Sequence, residues 1–367
     1  MTSQYVTFGL VPAMRAGGVL ADGAYQAHRD FLDFAVDGSP LLARLADLDA
    51  VSPLALDLGP SDFAEQVRTL LPEAETPLEG SRRVIYGCPE CAGRACGEPV
   101  CGGRAGGGLA CGGYACGAVT AVIERDGPDV VWRDFGRQTG RAPDAERDGY
   151  HDIGPYRFRG EEYRAALERL LPADGALAPD LPAGPRALLI GPRAALLARL
   201  AAALRRIGIS AEITLDAVHA HADELRKYGV VVFGRTIGPD ERDAVLNALA
   251  AARSEAVCVT VLAPIVPLLV AQVEQALDRT PDHRRRLLRL TAVAGDAEAE
   301  VEVASACRVR LVAHRLDRLS RPRTRALFDA VLAPGTHRIP LETRAVRGRS
   351  FLTAHTSEAV LVAPVAR

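Results

Sequence analysis

The chain changes hydrophobic rhythm twice, and these changes divide it into three stretches. In the middle stretch, short apolar runs (Ala187–Ile190, Ala211–Leu215, Gly229–Gly234, Ala256–Ala263) alternate with longer amphipathic ones (Arg193–Gly208, Ala217–Gly229, Pro239–Ser254, Pro264–Asp278). Apolar runs of that length suit strands buried on both faces, and apolar residues three and four apart suit helices. Four strand–helix units predict a parallel sheet covered on both faces, with right-handed crossovers.

After His283 the rhythm becomes that of short strands: Leu288–Ala294, Ala297–Ala304, Arg308–Ala313, His337–Leu341, Ser350–His355 and Ala359–Val365, with Leu319–Gly335 expected as a connection. Strands this short and close together predict a small antiparallel sandwich. The first stretch is mixed. Phe31, Phe34 and Val36 fit a strand, Asp37-Gly38 a turn, and Leu41, Leu42 and Leu45 one face of a helix. A short amphipathic helix is expected over Phe63–Leu71, stopped by Pro72. Strands are expected at Arg83–Tyr86, Ala118–Glu124, Val130–Phe135 and Pro155–Phe158, the middle two joined by the turn sequence Arg125-Asp126-Gly127-Pro128-Asp129. A helix over Gly160–Leu171 closes the region, and the Pro- and Gly-rich residues 171–185 read as a linker. The expected domains are residues 1–170, 186–280 and 285–367, a length that suits several domains of ordinary size.

The formal net charge is −2. This gives no basic footprint for nucleic acid, which leaves small molecules and, above all, a protein partner. No apolar segment reaches the length of a membrane span, and the N-terminus lacks a basic region followed by an apolar core, so a soluble cytoplasmic chain without a membrane partner is expected. Nothing in the pattern specifies an oligomeric state.

Six of the eight cysteines lie between Cys88 and Cys116. That run is too rich in Gly to build a core element, so its order is expected to come from a bound metal, since in a reducing compartment clustered thiols are ligands more often than disulfides. From Cys91 it repeats every ten residues, with Cys91, Cys101 and Cys111 aligned, and with them Gly93, Gly103 and Gly113. The second block has Gly106 where the others have Cys96 and Cys116, the pattern of a tandem expansion that turns some cysteines into passengers. Cys88-Pro-Glu-Cys91 is a C-x2-C knuckle able to aim two thiolates at one ion, and structural Zn²⁺ takes four such ligands tetrahedrally. The expected set is Cys88, Cys91, Cys111 and Cys116, with Cys96 and Cys101 next. A Cys88/Cys91 redox dithiol and an iron–sulfur cluster are the competing chemistries.

Three segments of the chain carry resemblances to known families. VDGSPLLARL, VIYGCPEC, CGAVTAVIERDGPDVVWRDFG and GPYRFRGEEYRAAL, within roughly residues 30–170, resemble a group of uncharacterised actinobacterial proteins, some labelled oxidoreductase, in which a short C-x2-C-x4-C segment joins the strands directly. The middle stretch resembles a response-regulator receiver in size and order, but Gly191-Pro192-Arg193 and Gly234-Arg235 stand where a receiver carries its metal-binding and phosphoacceptor carboxylates. The resemblance therefore implies a degenerate receiver. Gly335–Pro340 with Gly348–Phe351 resembles the immunoglobulin-like domain of flagellar-hook-cap and secretion-sorting proteins, which implies a fold and a docking surface.

Other candidates are weaker. Arg193 and Arg235 could bind an anion or nucleotide at strand ends, although Ile190-Gly191-Pro192-Arg193 offers one Gly where a dinucleotide turn needs several. His219 and His221 do not share a helix face, His151 adjoins the metal region in sequence as a candidate substitute ligand, and Cys258 and Cys307 read as small buried apolar residues. The fold class expected is therefore multidomain α+β: a zinc-stapled α+β domain, a receiver-like parallel α/β domain and an antiparallel β-sandwich. The expected function is that of a non-catalytic scaffold or regulator carrying structural Zn²⁺, with an oxidoreductase and a ligand sensor as alternatives.

Overall fold

The computed structural model of the chain describes residues 5–45, 48–72, 81–91, 93, 117–140, 143–171, 185–214, 221–293, 298–342 and 344–366. It is a mixed α/β structure of mostly antiparallel sheets with one parallel sheet. In chain order the first strands are β1 (Phe8–Arg15), β2 (Gly18–Val19), β3 (Tyr25–Gln26), β4 (Arg29–Val36) and β5 (Ser39–Pro40). There follow helix α1 (Pro60–Leu70), β6 (Ser81–Tyr86), β7 (Ala118–Asp126), β8 (Asp129–Gln138), α2 (Ala145–Asp148), β9 (Tyr156–Arg159) and α3 (Gly160–Glu168). Contacts divide the chain into two compact units, Met1–Arg15 with Arg29–Pro182, and Ala16–His28 with Ala183–Arg367.

The first unit joins a three-stranded sheet, β1-β4-β5, to a four-stranded one, β6-β7-β8-β9. Pro12 lies inside β1, which is tolerated because β1 is an edge strand and a missing N–H there costs no ladder bond. Six residues in a row at the start of β7 are buried, the pattern of a strand covered on both faces. The core is aromatic. Trp132, Phe34, Phe158 and Tyr163 are almost fully buried, with Phe34 and Phe158 packed edge-on against Trp132 at 5.2 and 5.7 Å. The two polar tips are satisfied: Trp132 Nε1–H donates to Tyr163 Oη at 3.3 Å, and Tyr163 O–H donates to the Leu70 carbonyl at 2.7 Å, tying α3 to the end of α1. The helix expected at Leu41–Leu45 is a single 3-10 turn, Leu42–Arg44, too short for helical periodicity to mean more than three buried leucines.

The second unit continues with β10 (Arg186–Ile190), α4 (Ala194–Arg206), β11 (Ser210–Thr214), α5 (Ala222–Leu225), β12 (Val230–Phe233), α6 (Pro239–Ala251), β13 (Val257–Thr260) and α7 (Val266–Leu277). All four strands are parallel, in the order β11-β10-β12-β13. Alternate residues face opposite ways, as the pleat requires. Ala187, Leu189, Val230 and Val232 pack with α4 and α7, and Leu188, Ile190, Val231 and Phe233 with α5 and α6. Of the helix expected over Ala217–Gly229, residues 217–220 lie outside the described residues, as does most of the expected linker.

The remaining strands are β14 (Leu287–Val293), β15 (Glu298–Val303), β16 (Cys307–Leu316), β17 (Pro322–Leu332), β18 (Gly335–Pro340), β19 (Ser350–His355) and β20 (Val360–Pro364). They form two antiparallel sheets, β14-β15-β18 and β17-β16-β19-β20, whose apolar residues share one core around Leu290, Val301, Leu311 and Leu352. The stretch expected as a connection, Leu319–Gly335, instead holds the eleven-residue strand β17, paired along β16. As an edge strand it is mostly exposed, and a register shift at Leu311/Val312 breaks its period, so the alternation that marks a strand is absent.

The hairpin β2-β3 belongs to this second unit although β1 and β4 flank it in sequence. His28 and Glu274 of α7 fasten it: Nδ1 and Oε2 lie 2.9 Å apart and both side chains are buried. The apolar contact of Ile265 and Leu268 with Phe351, and a hydrogen bond from Val362 N–H to Gln275 Oε1 (3.0 Å), join the α7 region to the sheet of β19 and β20.

Candidate functional site

The Cys88–Gly93 turn is built by its neighbours. Gly87 exchanges two hydrogen bonds with Val51 (3.0 and 2.9 Å), extending the line of β6. The chain then turns through a 3-10 segment, Pro89–Cys91, in which the Cys88 carbonyl accepts from the N–H groups of Cys91 (3.0 Å) and Gly93 (3.1 Å). Arg29 Nε donates to the Pro89 carbonyl at 3.1 Å. Gly93 has φ 71°, and a Cβ there would lie 2.2 Å from the Ser52 carbonyl oxygen, so only glycine fits. Ser52, fully buried, is itself held by its hydroxyl donating to the Leu32 carbonyl at 2.6 Å. Beneath the turn the Tyr86 hydroxyl donates to buried Asp33. The result is a preorganised turn presenting two half-buried thiols, Cys88 and Cys91, which form no disulfide.

Strand pairing adds a constraint. Tyr86 faces Val119 across the β6–β7 ladder, so the cysteine-rich excursion leaves and rejoins one sheet at neighbouring positions. Cys96, Cys101, Cys111 and Cys116 lie outside the described residues. Among the described residues no group of three or more His, Cys, Asp or Glu is arranged to hold a metal ion. His151 is exposed in a turn after α2, and His221 is exposed at the start of α5, while His219 lies outside the described residues. Cys258 sits half-buried on β13, where burial pushes its thiol pKa up, and Cys307 is buried at the start of β16.

The second candidate lies at the carboxyl ends of the parallel strands. The order β11-β10-β12-β13 reverses direction between β10 and β12, and α4 and α6 leave on opposite faces. Ligands of open α/β sheets bind at such a switch point. Gly191 (φ 153°) follows β10 and comes so close to the backbone after β12 that its missing Cβ would lie 3.3 Å from Gly234 Cα. Arg193 and Arg235 flank this approach, exposed and without an ion pair among the described residues. The crevice between them holds about 20 Å³, room for roughly one water, and a shallow cleft of about 430 Å³ continues along Arg193, Leu196, Arg199 and Pro264. An anion could rest there, but no enclosed dinucleotide pocket exists among these residues.

Two polar groups, one buried and one running from buried His314 and Thr353 to half-buried His355, had no legible signal in the sequence. One is the His28–Glu274 pair, 246 positions apart. The other is a relay on the sheet of β16 and β19, in which His314 and His355 both approach Thr353 Oγ1 through Nε2, at 3.1 and 2.9 Å. Comparison with known proteins found no match to this chain among family models, curated proteins or solved structures.

Proposed function

We propose that the chain is a non-catalytic, metal-stabilised protein that works through contacts with other proteins. In this reading a structural Zn²⁺ is held by Cys88 and Cys91, with Cys111 and Cys116 completing the site and Cys96 and Cys101 as the next choices. The first unit is then a zinc-stapled α+β domain, the parallel sheet a degenerate receiver-like domain, and the last two sheets an immunoglobulin-like sandwich. The observation that carries the reading is the turn at Cys88–Gly93, locked by Ser52, Arg29 and the Gly87–Val51 bridge, from which a chain containing four further cysteines returns to the adjacent strand. Two thiols fixed on a rigid turn, with more thiols tethered nearby, fit the chemistry of a tetrahedral thiolate site. Zinc there would fold the excursion by cross-linking it, which a run so poor in apolar residues cannot achieve by burial.

An oxidoreductase based on a Cys88/Cys91 dithiol fits less well. Exchange-active dithiols draw thiolate stabilisation from a helix N-terminus, and here the segment is a three-residue 3-10 turn. A ligand-sensing role for the carboxyl ends of the parallel strands finds support in Arg193 and Arg235, exposed at the switch point and without an ion pair among the described residues. Elemental analysis of purified protein beside a Cys88→Ser/Cys91→Ser variant tests the leading reading. Stoichiometric zinc in the first and none in the second is expected, and equal metal contents, or none in either, would overturn it.

A further inference from the structure

The near-zero net charge conceals a strong partition. Residues 285–367 hold fifteen arginines against eight carboxylates, an excess of seven positive charges, so the rest of the chain carries nine more acids than bases. The excess is concentrated at one end of the β17-β16-β19-β20 sheet. Arg315 pairs in register with Arg323 on one side and Ser350 on the other, which brings the β16–β17 turn and the approach to β19 to the same end. The Arg325 side chain reaches Glu342 at 2.8 Å across them. Within residues 315–325 and 342–349 stand eight arginines and two carboxylates, Asp317 and Glu342.

The turn at this end exposes a leucine and is held by hydrogen bonds. Leu319, at the apex of the β16–β17 turn, is 71% exposed, more than any other large hydrophobic side chain among the described residues. Asp317 fixes the turn: its Oδ1 accepts from the N–H groups of Leu319 and Arg321, both at 2.9 Å, and its own N–H donates to the Arg321 carbonyl at 2.9 Å. Arg318 and Arg321 flank the leucine, exposed and without ion pairs among the described residues, and Arg347 is likewise exposed and unpaired on the adjoining loop. A lone exposed leucine means little, and so does a scatter of arginines. A turn held by Asp317 that exposes Leu319 between two exposed arginines, in the most cationic part of the unit, offers together the apolar contact and the positive charge that a lipid headgroup interface takes up.

We infer that this end of the second unit is a peripheral docking surface for an anionic lipid bilayer, with Leu319 entering the headgroup region and Arg318, Arg321 and Arg347 contacting lipid phosphates. This is surface adsorption, independent of any membrane span and of the metal reading. Juxtamembrane arginines attract anionic lipid within a Debye length, so binding is expected to be weak on neutral lipid and sensitive to salt.

The test is co-sedimentation of the full chain with vesicles of phosphatidylcholine alone or mixed with phosphatidylglycerol, at low and high salt. Binding to the mixed vesicles at low salt, release at high salt and no binding to phosphatidylcholine are expected. Arg318→Glu/Arg321→Glu/Arg347→Glu should weaken partitioning about a hundredfold or more, while Leu319→Ser should weaken it about tenfold and leave the salt dependence unchanged. Circular dichroism melting of both variants shows that loss of binding is not loss of fold. Equal binding to both lipids, no binding to either, or binding undiminished in the charge-reversed variant would overturn the inference. Retention on immobilised polyglutamate without binding to the mixed vesicles would also overturn it, and would assign the surface to an acidic protein.

Discussion

Acidification should destabilise the second unit through the His314–Thr353–His355 relay, by an amount set by how far burial depresses the two imidazole pKa values. Both imidazoles address one hydroxyl, which has a single proton to give. The bonding is complete when His355 Nε2–H donates to Thr353 Oγ1, Thr353 O–H donates to His314 Nε2, and His314 Nδ1–H faces Thr324 Oγ1 at 3.4 Å. Both rings are then neutral. Burial, and secondly the nearby His355, push the His314 pKa down to about 3, and burial, and secondly Arg310, push that of His355 down to about 4. The unfolded chain therefore binds more protons than the folded one below about pH 6.5, so stability falls as pH drops through the interval from about 6.5 towards 3. At about pH 5 each histidine removes roughly 2 kcal/mol, and the pair roughly 4 kcal/mol, relative to neutral pH. Hydrogen exchange of the β16 and β19 amides, followed from about pH 7.5 to 5 with correction for intrinsic rates, reads this loss. His314→Gln should remove about half of it. A pH dependence identical in wild type and variant, or NMR titration of either imidazole near its ordinary value, would refute the reasoning.

Gly93→Ala forces a Cβ against the Ser52 carbonyl at positive φ, and a loss of ~3 kcal/mol by urea unfolding, together with reduced metal content, is expected. Phe158→Ala opens a cavity against Trp132, the chain's single tryptophan, and should lower the stability reported by its fluorescence by roughly 3–5 kcal/mol. His28→Ala leaves the carboxylate of Glu274 buried without its partner and should cost roughly 3–5 kcal/mol in thermal or urea unfolding, of which His28→Leu/Glu274→Leu recovers most.

Wherever burial is two-sided or strictly one-sided, the fold was legible from the residues. The parallel strands Arg186–Ile190 and Val230–Phe233 are almost wholly apolar, and helix α4 places Leu196, Leu197, Leu200 and Leu204 on one face, so both types declare themselves. Strand β17 did not, because an edge strand with a bulge has no face to keep apolar. Strand β1 escaped for a related reason, since Gly9 and Pro12 interrupt its run and only its pairing with β4 makes it a strand. The hairpin Ala16–His28 could not have been assigned to the second unit from local pattern, because what holds it there is Glu274, far along the chain. At the candidate site the C-x2-C spacing was legible, but its rigidity was not: it depends on Ser52 and Arg29, which carry no motif.

In the proposed function Cys88 and Cys91 belong to a four-thiolate metal site. X-ray absorption at the zinc edge of the purified full-length protein tests it most directly. Four sulfur neighbours at about 2.3 Å are predicted, with loss of the signal in Cys88→Ser/Cys91→Ser. A shell of nitrogen and oxygen, or a metal signal that survives both substitutions, would contradict it.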